Sequence, residues 1–246
     1  MNPFVQLFLA NLKIIYRNPA QLFWNAAMPI GLYSALSVLP LPKIIPDISY
    51  SSYLLPGMIA YTITTNGIYG LAYWMAEMRS KNVIKRFLAT PIRIEDLALS
   101  LVASRVVIML CQVALLSLIG VIFFKAPFAG NFLSIILLTI LGGSTFLLVG
   151  LLIANFSSSY ETATPLTTAI GMPMMFLGSV FFPTEILPGF LRQVGQVLPI
   201  TFLARGMRQT YLYAFDFSKI ATDVLWLAVW FLLLLTLTIK LFRLKE

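Results

Sequence analysis

Long apolar runs alternate with short polar segments along this chain. A bilayer core about 30 Å thick requires roughly 20 mostly apolar residues per helix. Six runs come close to that length or exceed it: Leu22–Leu39, Leu54–Met75, Leu97–Phe124, Phe132–Ala154, Ala163–Phe181 and Ala221–Phe242. They are continuous, without the alternation of period two that is typical of a membrane β-barrel. The pattern therefore predicts an all-α integral membrane protein with six transmembrane helices.

The composition agrees with that prediction and excludes several kinds of chemistry. Of 246 residues, 59% are hydrophobic and 11% are charged, and the mean hydropathy is +0.90. Soluble domains carry about 25% charged residues, so much of this surface faces something other than water. With one cysteine and no histidine, the chain offers no internal disulfide, no histidine-based zinc site and no Ser-His-Asp triad. It also contains no Gly-Lys dipeptide, hence no phosphate-binding P-loop, so we expect the energy source to lie outside this chain.

The net charge of +8 is distributed in a way that favours a membrane surface over nucleic acid as the partner. With six spans and both termini on one side, that side holds 11 of the 17 basic residues and the other side holds 6. Arg105 is counted among the 11, as a cation beside the third span. The excess predicts that both termini are cytoplasmic. No charged residue lies near the middle of the six runs, which weakens an ion-coupled carrier as an interpretation.

Three segments outside the spans carry distinct patterns. Residues 3–17 repeat apolar side chains at helical spacing, which predicts an interfacial amphipathic helix that is either a plain anchor or part of a docking surface. Residues 77–96 form the one sizeable cytoplasmic segment between spans, read either as an ordinary basic loop or as the place where a soluble partner acts. Residues 182–213 are apolar but are interrupted by prolines, so their pieces are too short to span and read as re-entrant or interfacial helices. In that last segment, Thr184 is expected to cap the first short helix.

Two spans have an unusual face of hydroxyl and small residues. On the second span this face holds Thr62, Thr65, Asn66 and Tyr69, with Tyr73 one turn further, and on the fifth span it holds Thr164, Thr167, Thr168, Gly171 and Met175. Such stripes are typical of close helix packing. The alternative is a path for an amphipathic cargo. The aromatic residues of the second span are interpreted as scattered, without the dense rows expected of a sugar channel.

Three stretches of the chain resemble the permease subunits of type-2 ABC transporters. Arg86-Phe-Leu-Ala-Thr-Pro-Ile-Arg93 is similar to a leucine-rich cytoplasmic loop of that family. Phe176-Leu-Gly-Ser-Val-Phe-Phe-Pro-Thr-Glu185 and Leu198-Pro199-Ile-Thr-Phe-Leu-Ala-Arg-Gly-Met-Arg208 are similar to its proline, glutamate and arginine signatures before the last span. The order of spans and loops matches over essentially the whole chain.

The resemblance implies a single transmembrane domain over residues 1–246, with a re-entrant helical hairpin on the outer side before the last span. It also implies a bacterial or archaeal plasma-membrane exporter without catalytic, metal or cofactor residues of its own. In such an exporter, ATP and Mg are bound by two cytoplasmic ABC ATPase subunits, and the permease pairs with a second copy or a paralogue. The residues implied to couple to the ATPases are Arg79, Lys81, Ile84, Lys85, Arg86, Phe87 and Leu88. Those implied to shape the outer hairpin are Pro183, Glu185, Pro188, Pro199 and Arg208.

Two other classes of function remain alternatives. A self-sufficient secondary carrier would transport without ATP, and a membrane interaction protein would neither transport nor bind an ATPase. The exporter interpretation itself leaves open an amphipathic small molecule, a lipid-linked glycan or a drug as the cargo, and a homodimer or a heterodimer as the assembly.

Overall fold

The computed structural model describes residues 2–39, 48–81, 83, 93–157, 159–213 and 216–241. In this part of the chain the elements are helices, which confirms the all-α prediction. They are α1 (Pro3–Tyr16), α2 (Pro19–Val38), α3 (Tyr50–Ser80), α4 (Ile94–Phe124), α5 (Phe132–Phe156), α6 (Tyr160–Leu177), α7 (Gly189–Val197), α8 (Pro199–Leu212) and α9 (Phe217–Leu241), with a single 3-10 turn at Thr184–Ile186.

Polar side chains define where several of these helices begin. Asn18 accepts a hydrogen bond from the backbone N–H of Gln21 at 3.2 Å, and Pro19 then occupies the first position of α2. Asn131 caps α5 in the same way. Before α9, the hydroxyl and backbone N–H of Ser218 donate to the Asp216 carboxylate, and these bonds lower the pKa of that carboxyl. The local sequence therefore determines where these helices begin. The apolar runs predict how long they are.

Helix α3 is the centre of the bundle and packs against α2, α4, α5, α6 and α8. Its closest neighbour is α5, because a Cβ added at Gly150 would lie only 2.6 Å from the Gly67 carbonyl oxygen. Small residues let two membrane helices bring their backbones together in this way. Leu54, Met58 and Ile63 are fully buried in the surrounding core. Since five helices pack around α3, most of its surface meets protein.

Contacts between helix ends define two distinct ends of the bundle. At the first, the Arg79 guanidinium donates to the Ser157 carbonyl at 2.8 Å, and the Asn155 amide donates to the Leu241 carbonyl at 2.7 Å. We call this the basic end, since α1, the end of α3 and the start of α4 bring Lys and Arg residues to it. At the opposite end, the Ala129 backbone N–H donates to the Tyr211 carbonyl, and the hairpin of α7 and α8 lies beside it. We call this the hairpin end.

Exposed apolar side chains cover the outer faces of α4, α5 and α9. They include Leu118, Ile122, Leu133, Ile136, Leu225, Leu232 and Ile239. By length and composition, three described helices are apolar enough to cross a membrane: Glu95–Phe124, Phe132–Phe156 and Ser218–Leu241. A multi-pass membrane protein follows, while the full set of six spans stays a prediction for α2, α3 and α6.

The helix ends can be compared with the predicted segment boundaries. The fifth apolar run extends to Phe181, but α6 ends at Leu177, because the chain turns at Gly178 and Ser179, where Ser179 has a φ of 57°. The 77–96 segment begins within α3, which continues to Ser80, and ends within α4, which begins at Ile94, while its cytoplasmic role stays a prediction. A helix forms at Pro3–Tyr16, as predicted, and Phe4, Phe8, Leu12 and Ile15 all lie on its less exposed side, while its place at the membrane interface stays a prediction.

The 182–213 segment forms two short helices joined at Leu198. Pro188 precedes α7, and Pro199 is the first residue of α8, so each proline stands where its missing N–H costs nothing. The Thr201 hydroxyl donates to the Gly195 carbonyl at 2.5 Å and closes the turn between them. The expected cap at Thr184 is wrong: Thr184 opens the 3-10 turn without a capping bond, and α7 begins only at Gly189.

Candidate functional site

A cavity of about 510 Å³ lies between α2, α3 and α6. Three of the predicted cargo residues of α3, Thr65, Asn66 and Tyr69, line it together with Met175 of α6. Tyr61 and Phe181 line it towards the hairpin end, with ring centroids 6.5 Å apart. We call it the aromatic cavity. Helical spacing explains the α3 wall, since residues 61, 65, 69 and 73 follow one another at intervals of four on a single face.

The polar groups of this wall mostly satisfy one another or their own helix. The Thr65 hydroxyl donates to the Tyr61 carbonyl at 2.9 Å, and the Asn66 amide donates to the Thr62 carbonyl at 2.9 Å. Among the described residues, the Tyr61 hydroxyl has no hydrogen-bond partner. The cavity therefore combines aromatic and thioether surface with few free polar groups, which suits an amphipathic ligand.

Two contacts hold α6 against α3 at this wall. The Tyr73 and Thr167 hydroxyls are 3.2 Å apart, and Thr167 also donates to backbone carbonyls of α6, so Tyr73 supplies the proton of the shared bond. At Gly171, an added Cβ would lie 2.7 Å from the Tyr69 hydroxyl oxygen. The missing side chain at Gly171 thus makes room for the Tyr69 ring, whose hydroxyl also lies near Thr168.

The remaining predicted cargo residues lie outside the walls of this cavity. Thr62 is buried, and its hydroxyl donates to the Met58 carbonyl at 2.8 Å. Thr164 donates to the Tyr160 carbonyl of its own helix at 2.9 Å. Thr167 and Gly171 shape the cavity through Tyr73 and Tyr69 rather than lining it. Each of the two interpretations of the stripes, helix packing and cargo path, therefore fits some of the residues. Some stripe residues pack helices together, and others face the open cavity.

The sequence did not indicate the third wall of the aromatic cavity. It comes from α2, through Gln21, Trp24, Asn25, Met28, Pro29 and Leu32. Trp24 and Met28 are also exposed, as are Met172 and Phe176 across the opening on α6. The interpretation of the α3 aromatics as scattered is wrong, because Tyr61, Tyr69 and Tyr73 converge here with rings from α2 and α6. A spacing of four residues from Tyr69 to Tyr73, extended back two turns to Tyr61, was the signal available.

A second cavity of about 620 Å³ adjoins the first towards the basic end and shares Gln21, Gly70 and Tyr73 with it. Most of its lining residues come from α1, α3 and α4, and it contains Arg105, so we call it the arginine cavity. Together the two cavities follow α3 from Tyr61 to Ser80, about 28 Å at 1.5 Å per residue. That length is close to the thickness of a bilayer core.

Counting Arg105 as a cation beside the third span is wrong. It lies eleven residues into α4, and only 8% of it is exposed. Its guanidinium rests against the backbone of α3, since a Cβ added at Gly70 would be 3.1 Å from its Nη1. An arginine within an apolar run was the available signal, because ionisable residues inside membrane helices mark functional sites.

Two of the seven predicted coupling residues, Arg79 and Lys81, lie in the described part of the chain. Arg79 donates to the Ala154 and Ser157 carbonyls at the end of α5, and burial lowers the pKa of its guanidinium. These bonds satisfy carbonyls that a helix end leaves free. Lys81 pairs with Glu77 at 2.6 Å on the surface. The other predicted coupling residues, Ile84, Lys85, Arg86, Phe87 and Leu88, lie outside the described residues.

Arg208 connects three elements at the hairpin end. Its guanidinium donates to the Tyr53 carbonyl, to the Ser179 hydroxyl at 3.0 Å and to the Ser179 and Val180 carbonyls. It also lies 3.9 Å from the centre of the Tyr53 ring, a cation–π contact. Gly57 allows this approach, because a Cβ there would be 2.1 Å from the Val180 carbonyl oxygen. Pro183 and Glu185 line a smaller cavity of about 410 Å³ beside it.

Comparison with known proteins places this architecture in one family. Residues 3–212 match the family described as ABC-2 type transporter. The Escherichia coli protein named "Probable multidrug ABC transporter permease YbhR" is 22% identical over 193 residues, 78% of this chain and 51% of its own length. The chain therefore spans about half the length of that relative.

Two further relatives are covered more fully. The inner membrane transport permease YadH of Escherichia coli is 25% identical over 175 residues, which are 71% of this chain and 68% of YadH. YvfS of Bacillus subtilis, which its name describes as a transport permease, is 23% identical over 209 residues, 84% of each chain.

Proposed function

The chain belongs to the ABC-2 type transporter family, and from this premise we propose that it is the membrane-spanning half of an ATP-driven exporter. It moves an amphipathic small molecule, a lipid-linked glycan or a drug outward across the plasma membrane. Separate cytoplasmic ATPase subunits bind ATP and Mg and supply the energy. Its own contribution is binding and conformational change rather than covalent chemistry.

The observation that supports this function most directly is the pair of adjoining cavities along α3. They offer about 28 Å of lined surface, with hydroxyl and amide groups beside aromatic rings and methionines. A cargo that is partly polar and partly apolar matches such walls better than a bare ion or a fully hydrated sugar does. The stripe residues Thr65, Asn66, Tyr69 and Met175 are the proposed contacts along the path.

The permease acts as a dimer in this proposal. The aromatic cavity opens between α2 and α6, where Trp24, Met28, Met172 and Phe176 are exposed side by side. A second copy or a paralogue seated over this opening buries those side chains and encloses the cavity. The cargo then moves between two permeases instead of along a surface open to lipid.

The ATPase subunits act at the basic end, in the segment around Lys81–Leu88. Arg79, which precedes that segment in the sequence, connects the end of α3 to the end of α5. Both termini lie on the same, cytoplasmic side in this arrangement, and α7 with α8 forms a re-entrant hairpin on the outer side. A push on the segment after α3 reaches the cavity walls directly, since α3 contributes to both of them.

Copurification followed by an ATPase assay tests this function. We expect the tagged permease to retain a soluble partner with a P-loop, and the reconstituted complex to hydrolyse ATP faster when amphipathic drugs are added. Changing both Phe87 and Leu88 to Asp abolishes that stimulation while the permease still inserts. The conservative pair Phe87→Tyr and Leu88→Met retains it. A permease that transports when purified alone, driven by an ion gradient, contradicts the proposal and supports a secondary carrier.

A further inference from the structure

Arg105 and Arg208 are the two buried arginines of the described residues, and Arg105 is the one that has no partner. Arg208 donates to carbonyls and stacks on a ring, Arg79 caps the end of α5, and Arg205 pairs with Asp223. No hydrogen bond or ion pair joins Arg105 to another described residue, although only 8% of it is exposed. A buried charge without a counter-charge is strongly unfavourable, so it persists where something else completes it.

The surroundings of Arg105 leave room for a ligand beside the guanidinium. The arginine cavity holds about 620 Å³. Glu77 is the one acidic residue among its lining side chains in the described chain, and its carboxylate is already 2.6 Å from the Lys81 ammonium. The other lining residues of the cavity therefore leave the positive charge of the Arg105 guanidinium unneutralised.

The walls of this cavity also divide into polar and apolar parts. Ile14, Ile15 and Leu101 supply aliphatic surface, and Trp74 supplies an aromatic face. Asn11 is held in place by Ser100, because its amide donates to the Ser100 hydroxyl at 3.4 Å and joins α1 to α4. A ligand that fits carries a compact negative group at one end and an apolar chain at the other.

We propose that Arg105 binds the anionic headgroup of an amphiphile, with a phosphate as the best match, inside the arginine cavity. A guanidinium presents two parallel N–H donors to phosphate oxygens, and the low dielectric of the cavity strengthens that contact. Such a headgroup has two sources, a membrane phospholipid or a phosphate-bearing cargo. Where the amphiphile is the cargo, this inference rests on the proposed function and narrows its substrate class.

Binding to the permease alone, without ATPase or transport, tests the proposal independently of the proposed function. The full chain is placed in phosphatidylcholine nanodiscs and titrated with dodecyl phosphate, and with dodecyltrimethylammonium as a probe of similar chain length and opposite charge. We expect Arg105→Gln to weaken dodecyl phosphate binding about ten- to a hundredfold. Arg192→Gln removes the same charge from an exposed site on α7 and leaves the affinity unchanged.

Thermal melting supplies a second readout. Because Arg105→Gln removes an unpaired buried charge, the ligand-free variant melts at or above the temperature of the unchanged protein and loses the stabilisation by dodecyl phosphate. Arg105→Lys retains the charge without the paired donors, so it binds with intermediate affinity. A variant Arg105→Gln that melts well below the unchanged protein overturns the proposal, since it shows that the chain itself uses the charge.

A comparison of lipids distinguishes the two sources of the headgroup. If phosphatidylglycerol nanodiscs reduce dodecyl phosphate binding and Arg105→Gln removes the competition, the occupant is a lipid headgroup. If phosphatidylglycerol does not compete, the site takes a free phosphate-bearing amphiphile. Equal affinity of the unchanged protein and Arg105→Gln for dodecyl phosphate overturns the proposal and leaves a water-filled vestibule.

Discussion

The contact between Gly171 and Tyr69 gives a prediction whose size follows from the structure. An alanine at position 171 brings its Cβ to 2.7 Å from the Tyr69 hydroxyl oxygen, and to 3.2 and 3.3 Å from the nearest ring atoms. Because ordinary contact begins near 3.4 Å, the hydroxyl must recede by about 0.7 Å. The ring faces the aromatic cavity, so we expect it to move into that space rather than to separate α3 from α6.

The free-energy cost of displacing the Tyr69 ring is the sum of the weak interactions that it loses. Tyr69 meets Tyr73 edge to face at a centroid distance of 5.7 Å, an arrangement that contributes about 0.5–1.5 kcal/mol. The polar contact between Tyr69 and Thr168 adds at most about 0.6 kcal/mol, the average for an interhelical hydrogen bond in membranes. A total of roughly 1–2 kcal/mol corresponds to a fall in export of about five- to thirtyfold. The bulkier Gly171→Leu blocks export altogether, while Thr65→Val has a smaller effect.

A double-mutant cycle in reconstituted vesicles measures this coupling. Tyr69→Phe removes the atom at 2.7 Å, so Gly171→Ala combined with Tyr69→Phe recovers part of the export lost by Gly171→Ala alone. Gly31→Ala on α2 is the matched control, since nothing lies within 4 Å of a Cβ added there. Losses that simply add in the double variant refute the steric reasoning. Failure of Gly171→Ala to assemble shows instead that the stripe serves helix packing.

Three further predictions concern the two ends of the bundle. Arg208→Met leaves several carbonyls without donors and should destabilise the permease by about 3–5 kcal/mol, which appears as a lower melting temperature or loss of the folded protein; melting near that of the unchanged protein contradicts the structural role. Arg79→Gln should lower both the melting temperature and ATPase stimulation. Lys81→Gln, which breaks an exposed ion pair, changes the stability of the permease by only ~0–1 kcal/mol. Equal effects of the two substitutions contradict the capping role of Arg79. Gly189→Cys in a Cys111→Ala background should react with an impermeant thiol reagent added outside the cell, and labelling from the cytoplasm instead inverts the proposed topology.

The helices could be predicted from the sequence because their causes are local. Continuous apolar runs set their lengths, and residues such as Asn18 and Asn131 set where they begin. The α3 wall of the aromatic cavity was predictable for the same reason, since Thr65 and Tyr69 share a face at a spacing of four residues. The family resemblance followed from the proline and arginine order near Arg208.

The rest of the site depends on which helices pack against one another. The spacing of apolar and polar residues along the chain does not determine those helix pairs. The α2 wall with Trp24 and Met28 forms because α2 packs beside α3. Arg105 is buried because Gly70 leaves room for its guanidinium on a helix about 35 residues away in the chain. Thr62 carries the same hydroxyl as Thr65, yet it is buried in the core, because it lies one residue, about 100°, around α3 from Tyr61 and so off the 61–65–69 face.

ATP-driven uptake into inside-out membrane vesicles tests the central claim most directly. The vesicles contain the permease with its copurified ATPase, and the readout is accumulation of a fluorescent amphipathic drug. The account predicts accumulation that requires ATP and Mg, ceases when the P-loop lysine of the ATPase is replaced, and falls about five- to thirtyfold with Gly171→Ala. Accumulation that persists without ATP and collapses with the proton gradient contradicts the account.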